Sequence, residues 1–332
     1  MSWIERKKLL NKIEKIQDSK VILYVTGDRR GQETIISSDA LDFFVEHLDR
    51  MGISRKISLI LYTRGGDGMT SWSLINLIKM FCDELEIIIP MKAHSAGTML
   101  AIGADKIIMT KQATLSPIDP SINHPLAPQI IGTPIITRAP VSVEAIQGYL
   151  DLANDTIGKE NDQSTMGSIM LDLSRQIHPL VLGDAFRRRQ QTRLLAGKLL
   201  APQVKNDDDR KKIIDFLSSD SGSHDYTLNR REASALGLRV EKCSAKLYTV
   251  LRKLYEDFCE EMKLRDPFNP ALFQLQNGSI DFSNIRATIE SRFNKPVQFI
   301  TEGRVEPTAS PQPTIGTQNN LKIIWEGWRK IQ

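Results

Sequence analysis

The chain has 332 residues, 41% of them apolar and 25% charged, the make-up of a globular protein with material for one large domain or two ordinary ones. Its 44 Lys and Arg against 40 Asp and Glu leave a net charge of only +4, too mild to argue for nucleic acid, and the densest basic run, Arg187-Arg188-Arg189, falls in a helical pattern and reads as a solvated face. The charged start MSWIERKKLLNKIEK is no signal peptide, no apolar run approaches the ~18–20 residues of a membrane span, and Cys82, Cys243 and Cys259 are too few and scattered for a disulfide framework; the expectation is a soluble cytoplasmic protein with buried free thiols.

Ile4, Leu9, Leu10, Ile13 and Ile16 recur at helical spacing and predict an amphipathic opening helix. Residues 21–25 read as a strand ending at Gly27-Asp28, and Ser38 as the cap of a helix over 39–51 that Gly52 stops. Strand 57–63, helix 70–81 and strand 85–89 follow, then helix 95–103, strand 106–110 and an extended piece over 113–118. Strands alternating with helices through short loops predict an α/β fold with parallel sheet. From 121 to 140 the chain is Pro- and Ile-rich and reads as a loop or flap over the sheet. Residues 142–217 lose the alternation and predict helices over 143–153, 166–200 and 208–217, a helical insertion. A short helix over 231–236 closed by Gly237, a strand over 239–242 and an amphipathic helix over 245–262 come next. Beyond Asp266 the apolar patterning weakens, and 307–320 reads as a flexible linker before a short Trp-containing tail. The expected division is therefore an N-terminal helix (1–19), a catalytic domain (20–242), a C-terminal helix with an extension (243–306) and a flexible tail (307–332).

Gly65-Gly66 closes one apolar, β-branched run, and Ser95-Ala96-Gly97 follows the next. Backbone N–H groups at a glycine turn and at a helix N-terminus both favour negative charge, so the pair predicts an oxyanion hole beside a nucleophile, with the N–H groups of Gly66 and Ala96 as donors. Alone, a Ser at a helix start is usually a cap and a Gly pair usually a loop. Metal chemistry is not expected, since there is no HExxH and no Cys/His pairing at ligand spacing. No cofactor is expected either.

Residues 63–118 resemble the Clp protease and signal peptide peptidase superfamily, which shares the crotonase-like fold of repeated ββα units. In Clp catalytic subunits a Pro-Gly-Gly turn precedes the nucleophilic Ser by the interval from Gly66 to Ser95, and a Gly stands two residues after that Ser, as Gly97 does. The segment from Asp225-Tyr226 through Glu232-Ala233 to Gly237-Leu238 is similar in spacing to the Clp segment that carries the triad Asp. The chain is more similar still to the serine dehydrogenase proteinase family, which shows Ser-Ala-Gly-Thr, Pro-Ile/Val-Asp-Pro and Thr-His-Asp-Tyr-Pro. Here these read Ser95-Ala96-Gly97-Thr98, Pro117-Ile118-Asp119-Pro120 and Ser223-His224-Asp225-Tyr226. The resemblance implies a serine peptidase acting on peptide or protein substrate as a homo-oligomer, with Ser95 as nucleophile.

Asp119 occupies the position of the Clp catalytic His, and a carboxylate is a poor base for Ser at neutral pH unless desolvated. His224 is the preferred base, with Asp119 orienting it, an exchange of places that a triad tolerates because geometry rather than chain order defines it. Asp225 is an alternative acid, and His124 a rival base. A Ser–Lys dyad would draw on Lys111 or Lys159. His94 reads as structural or substrate-facing, His178 as packing or surface, and Arg64 as a residue able to contact a substrate carbonyl or carboxylate or simply to face solvent. Two other functions stay open: a crotonase-type acyl-CoA enzyme, against which Ser95 at the helix start argues, and a catalytically idle scaffold that binds partners, which Asp119 at the Clp His position keeps in play.

Overall fold

Continuous apolar runs such as SRKISLILY and CDELEIII suit parallel strands covered on both faces. In the computed structural model, which describes residues 3–130, 137–157, 163–223, 225–273, 275, 278–307 and 319–331, these runs lie side by side in a mixed α/β architecture. The chain divides into two compact units, Met1–Leu115 with Pro202–Val204 and Thr227–Gln332, and Ser116–Ala201 with Lys205–Tyr226.

The first unit opens with α1 (Trp3–Gln17), β1 (Lys20–Thr26), α2 (Leu41–Met51), β2 (Ser54–Tyr62), α3 (Gly68–Lys79) and β3 (Cys82–Ile89). It continues with β4 (Lys92–Ala93), α4 (Ala96–Gly103), β5 (Lys106–Met109) and β6 (Thr114–Leu115). The second unit holds β7 (Ser121–Ile122), β8 (Val141–Ser142), α5 (Val143–Ile157), α6 (Gln163–Gln176), α7 (Pro179–Leu200) and α8 (Asp207–Asp215). The chain then returns to the first unit with β9 (Leu228–Asn229), α9 (Arg230–Ala235), β10 (Val240–Lys242) and α10 (Ala245–Glu261). It closes with β11 (Ile280–Ser291), β12 (Asn294–Pro307) and β13 (Asn319–Lys330).

Among the described residues the main sheet has eight strands in the order β10-β5-β3-β2-β1-β11-β12-β13. It is parallel from β10 to β1, with Ile22 beside Leu59, Ile60 beside Ile88 and Ile88 beside Ile108. It turns antiparallel from β1 through β13. A small second sheet runs β4-β6-β9. Because strand side chains alternate, Val21, Leu23 and Val25 meet α1 and α10 through Leu10, Ile13, Leu251 and Phe258, while Tyr24 on the other face meets Phe44 of α2 edge to face at 5.1 Å.

Four expectations are corrected. The helix over 166–200 is two helices, because Pro179 lacks the N–H that would continue α6, and His178 caps α7 by accepting from the Leu180 N–H at 3.2 Å. Ser38 opens a 3₁₀ turn, Ser38–Ala40, and makes no side-chain cap. The stretch 121–140 carries β7 and a bridge between Gln129 and Arg138, whose guanidinium donates to the Ala127 carbonyl at 3.0 Å. The weakly patterned C-terminus is a three-stranded antiparallel meander, and its last strand, β13, lies in the stretch read as a flexible tail; residues 308–318 of that stretch lie outside the described ones. All three cysteines are free, Cys243 and Cys259 buried and Cys82 half-buried. Among the described residues no helix is long and apolar enough to cross a membrane.

Candidate active site

The turn after β2 is built by Thr63, whose buried hydroxyl accepts from the Gly65 N–H at 3.0 Å and meets the Thr26 hydroxyl at 2.7 Å. Beyond it, the Ile36 N–H donates to the Gly65 carbonyl at 2.8 Å and the Asp67 N–H to the Ile36 carbonyl at 2.9 Å, a one-residue parallel bridge. Both glycines sit at positive φ, 125° at Gly65 and 148° at Gly66. A Cβ on Gly66 would stand 2.3 Å from the Ile36 oxygen, so only glycine fits the bridge. Asp67 then caps α3, its carboxylate accepting from the Thr70 N–H at 2.8 Å.

The second arm arrives through β4, where the Thr63 N–H donates to the Lys92 carbonyl and the His94 N–H to the Thr63 carbonyl, both at 3.2 Å. Ser95 follows at φ 52° and ψ −114°, without capping α4 through its side chain. All eight residues of α4 are buried. Gly97 permits that depth: a Cβ there would lie 2.4 Å from Thr63 Cγ2. Ser71 of α3 donates its hydroxyl to the Ala96 carbonyl at 2.9 Å, tying the starts of the two helices together.

The two arms meet. A Cβ on Gly65 would stand 2.8 Å from Ser95 Cβ and 3.3 Å from its Oγ. The N–H of Gly66 is not used by the bridge, and that of Ala96, in the first turn of α4, has no helical acceptor by construction; neither donates to an acceptor among the described residues. Gly66 is exposed and Ser95 half-buried. Thr63, Ile36 and Ser71 are the supporting residues that sequence reasoning passed over. The apolar Ile35-Ile36 pair inside a polar loop was their one visible trace.

Asp119 belongs to the second unit, 8% exposed, where the Ile118 N–H donates to the Leu217 carbonyl at 2.8 Å. It lines a concavity of about 440 Å³ with Ser142, Glu144, Asp151, Ser219 and Ser223. Burial holds the Glu144 carboxyl above its ordinary range; Arg189, at 3.2 Å, opposes this and the charge of Asp119 adds to it. The preferred base, His224, lies outside the described residues, as does Lys159. Asp225 is exposed, its N–H donating to Ser223 Oγ at 3.2 Å. His124 accepts the Leu126 N–H on Nδ1 at 3.0 Å, which leaves the ring proton on Nε2, 4.0 Å from Asp184. Lys111 lies over the Tyr248 ring, 5.0 Å from its centroid. His94 is held by Thr114, Nε2 to Oγ1 at 2.9 Å.

Residues 2–145 match the family of ClpP-like SDH-type serine proteinases. The resemblance drawn from the Ser-Ala-Gly-Thr and Pro-Ile-Asp-Pro motifs is borne out over this ClpP-like segment, which includes Gly65-Gly66, Ser95 and Asp119. Two uncharacterised proteins of Methanocaldococcus jannaschii are each 27% identical, over 203 and 200 residues, covering 61% and 60% of this chain. The chain spans only 59% and 55% of the length of these curated relatives. Among solved structures, a membrane-bound stomatin-specific protease (1510-N) is similar at 16% identity and a TM-score of 0.38, over 74% of this chain and 86% of that one. The catalytic domain of the ClpP protease of Plasmodium falciparum is similar at 13% identity and a TM-score of 0.37, over 74% of this chain and 94% of that one.

Proposed function

We propose that the protein is a serine peptidase in which Ser95 Oγ attacks a peptide carbonyl and the N–H groups of Gly66 and Ala96 hold the resulting oxyanion. The observation that carries this reading is Ser95 at φ 52° at the head of a buried helix, pressed against the Gly65 turn. A sharp strand-to-helix corner of this kind puts a hydroxyl forward and aims backbone N–H groups at one point. His224 takes the Ser95 proton and returns it to the leaving amine, and water, activated by the same ring, then releases the acyl group. Asp119 orients His224; in support, it is buried and shares a concavity with Ser223, the residue before His224, whereas Asp225 is exposed. Assembly of several copies belongs to the same reading, supported by Leu152, Leu171, Leu180 and Phe186, each over 60% exposed on the helices of the second unit.

An alkyl fluorophosphonate probe tests it. Labelling is expected in the wild type, none in Ser95→Ala, and a fall of about a hundredfold or more in rate for His224→Ala. No labelling of the wild type would remove the hydrolase reading. Labelling that survives His224→Ala but not His124→Ala would reassign the base. The mass of the labelled species in solution reads the assembly.

A further inference from the structure

Arg64 is the member of the Gly-Gly turn that this mechanism leaves without a task. It directly precedes Gly65, the residue packed against Ser95, so its backbone is one residue along the chain from that contact. Thr63 before it points inward and is fully buried, but the Arg64 side chain is 50% exposed. Among the described residues its one ion-pair partner is Glu33, with Nη1 to Oε1 at 3.7 Å, beyond hydrogen-bond reach.

Both backbones are nonetheless fixed. Arg286 donates from Nε to the Gln32 carbonyl at 3.0 Å and from Nη2 to the Glu33 carbonyl, holding the loop that carries Glu33. The Ile36 bridge fixes the turn that carries Arg64. A guanidinium offers two parallel N–H donors to one carboxylate, and Glu33 fills neither at this distance. What results is an exposed cation on the turn that packs against Ser95, its fork open. Ile35, beside the Ile36 that bridges this turn, and Met69 in the first turn of α3 are exposed and apolar.

We propose that Arg64 selects substrates bearing a carboxylate close to the scissile bond, and that Glu33 is the internal competitor such a substrate displaces; this rests on the reading of Ser95 as nucleophile. The carboxylate is either an Asp or Glu side chain or the free α-carboxylate of a chain end, and two arms of one experiment distinguish them. In the first arm, peptidyl fluorophosphonates carry Glu or its isostere Gln at one of the three positions before the phosphorus. In the second, peptides ending in a free carboxylate or an amide compete with a plain alkyl fluorophosphonate for Ser95.

The expected result is a preference of about two- to fivefold for the charged member in one arm at low salt, shrinking in about 1 M salt because the pair is exposed. Arg64→Gln is expected to bring that ratio to one, Arg64→Lys to keep part of it, and Glu33→Gln to increase it. A packing role for Arg64 would produce no charge-specific ratio and no response to Glu33→Gln. Ratios near one in both arms, or a preference that persists in Arg64→Gln, would overturn the proposal while leaving the hydrolase reading intact. Failure of the plain probe to label removes the nucleophile itself and this proposal with it.

Discussion

At Ser95, φ 52° with ψ −114° is the conformation that glycine adopts at the first central position of a type II′ turn. A Cβ there costs about 1–3 kcal/mol, and such strain persists only where the surroundings over-determine it. Here the surroundings are the Gly97–Thr63 contact, the Ser71 hydrogen bond to Ala96 and the burial of α4. Two variants separate backbone strain from the hydroxyl. Ser95→Ala and Ser95→Gly both lose Oγ and the probe's target, but only glycine relaxes the backbone. Ser95→Gly is therefore expected to be more stable than Ser95→Ala by about 1–2 kcal/mol in urea unfolding, even though glycine ordinarily lowers stability through unfolded-chain entropy. Equal or reversed stabilities would mean that Ser95 is unstrained, and the corner would lose its special character.

At the scale of elements, the parallel half of the main sheet was legible because strands buried on both faces must be apolar throughout, as β2 and β3 are. The Gly-Gly turn and Ser95 were legible because glycine and a helix start leave a mark in sequence, but the Ile36 bridge that locks the turn is a long-range contact and leaves almost none. The antiparallel half was hidden for a different reason. Strand β11 buries Thr288, Glu290 and Ser291, and β12 buries Gln298 and Thr301, so the apolar alternation is broken where the strands are most enclosed. Each of these polar groups needs a partner: Thr288 donates to Glu290 on its own strand at 3.1 Å, and Ser291 finds His47 of α2, Oγ to Nδ1 at 2.8 Å. Burial brings the His47 pKa down to about 4; Glu46 works against the shift, Arg50 and Lys330 with it. The unfolded chain binds this proton near pH 6.5. The neutral ring's contribution to stability is thus complete above about pH 6.5 and is lost as pH falls toward 4, by at most about 3 kcal/mol. The stability of His47→Gln relative to wild type should accordingly improve by that amount between pH 7 and pH 4, followed by denaturant unfolding. A difference that stays flat across that range would show that the ring is not held neutral.

Over the whole molecule, the first helix is tied to the last quarter of the chain through one buried cation. Arg6 of α1, its side chain 3% exposed, reaches Asp257 of α10 at 2.7 Å, Glu261 at 3.1 Å and Glu290 of β11 at 3.1 Å. Burial opposes the charge on Arg6, but the carboxylates, Glu290 foremost, more than restore it, and its pKa stands above the ordinary value. Glu290 is fully enclosed, and burial raises its pKa even against the pull of Arg6. The cluster is therefore anion-rich, and its stability depends on the single guanidinium. Replacing Arg6 with Met keeps much of the apolar stem and leaves the carboxylates facing one another without a cation, an arrangement that typically costs about 3–5 kcal/mol. The sign of the pH effect follows from Glu290: a carboxyl whose folded pKa is raised binds its proton more readily in the folded state, so lowering the pH favours folding through that group. In Arg6→Met, with the opposing cation gone, this effect grows. The loss relative to wild type is thus expected to be largest at pH 7, to shrink as the pH is lowered toward 5, and to be partly recovered at pH 7 by adding Glu290→Gln. Urea unfolding of the two single variants and the double variant measures all of these. A loss in Arg6→Met below about 1 kcal/mol, or one unchanged between pH 7 and pH 5, would mean that α1 is held by its apolar face alone.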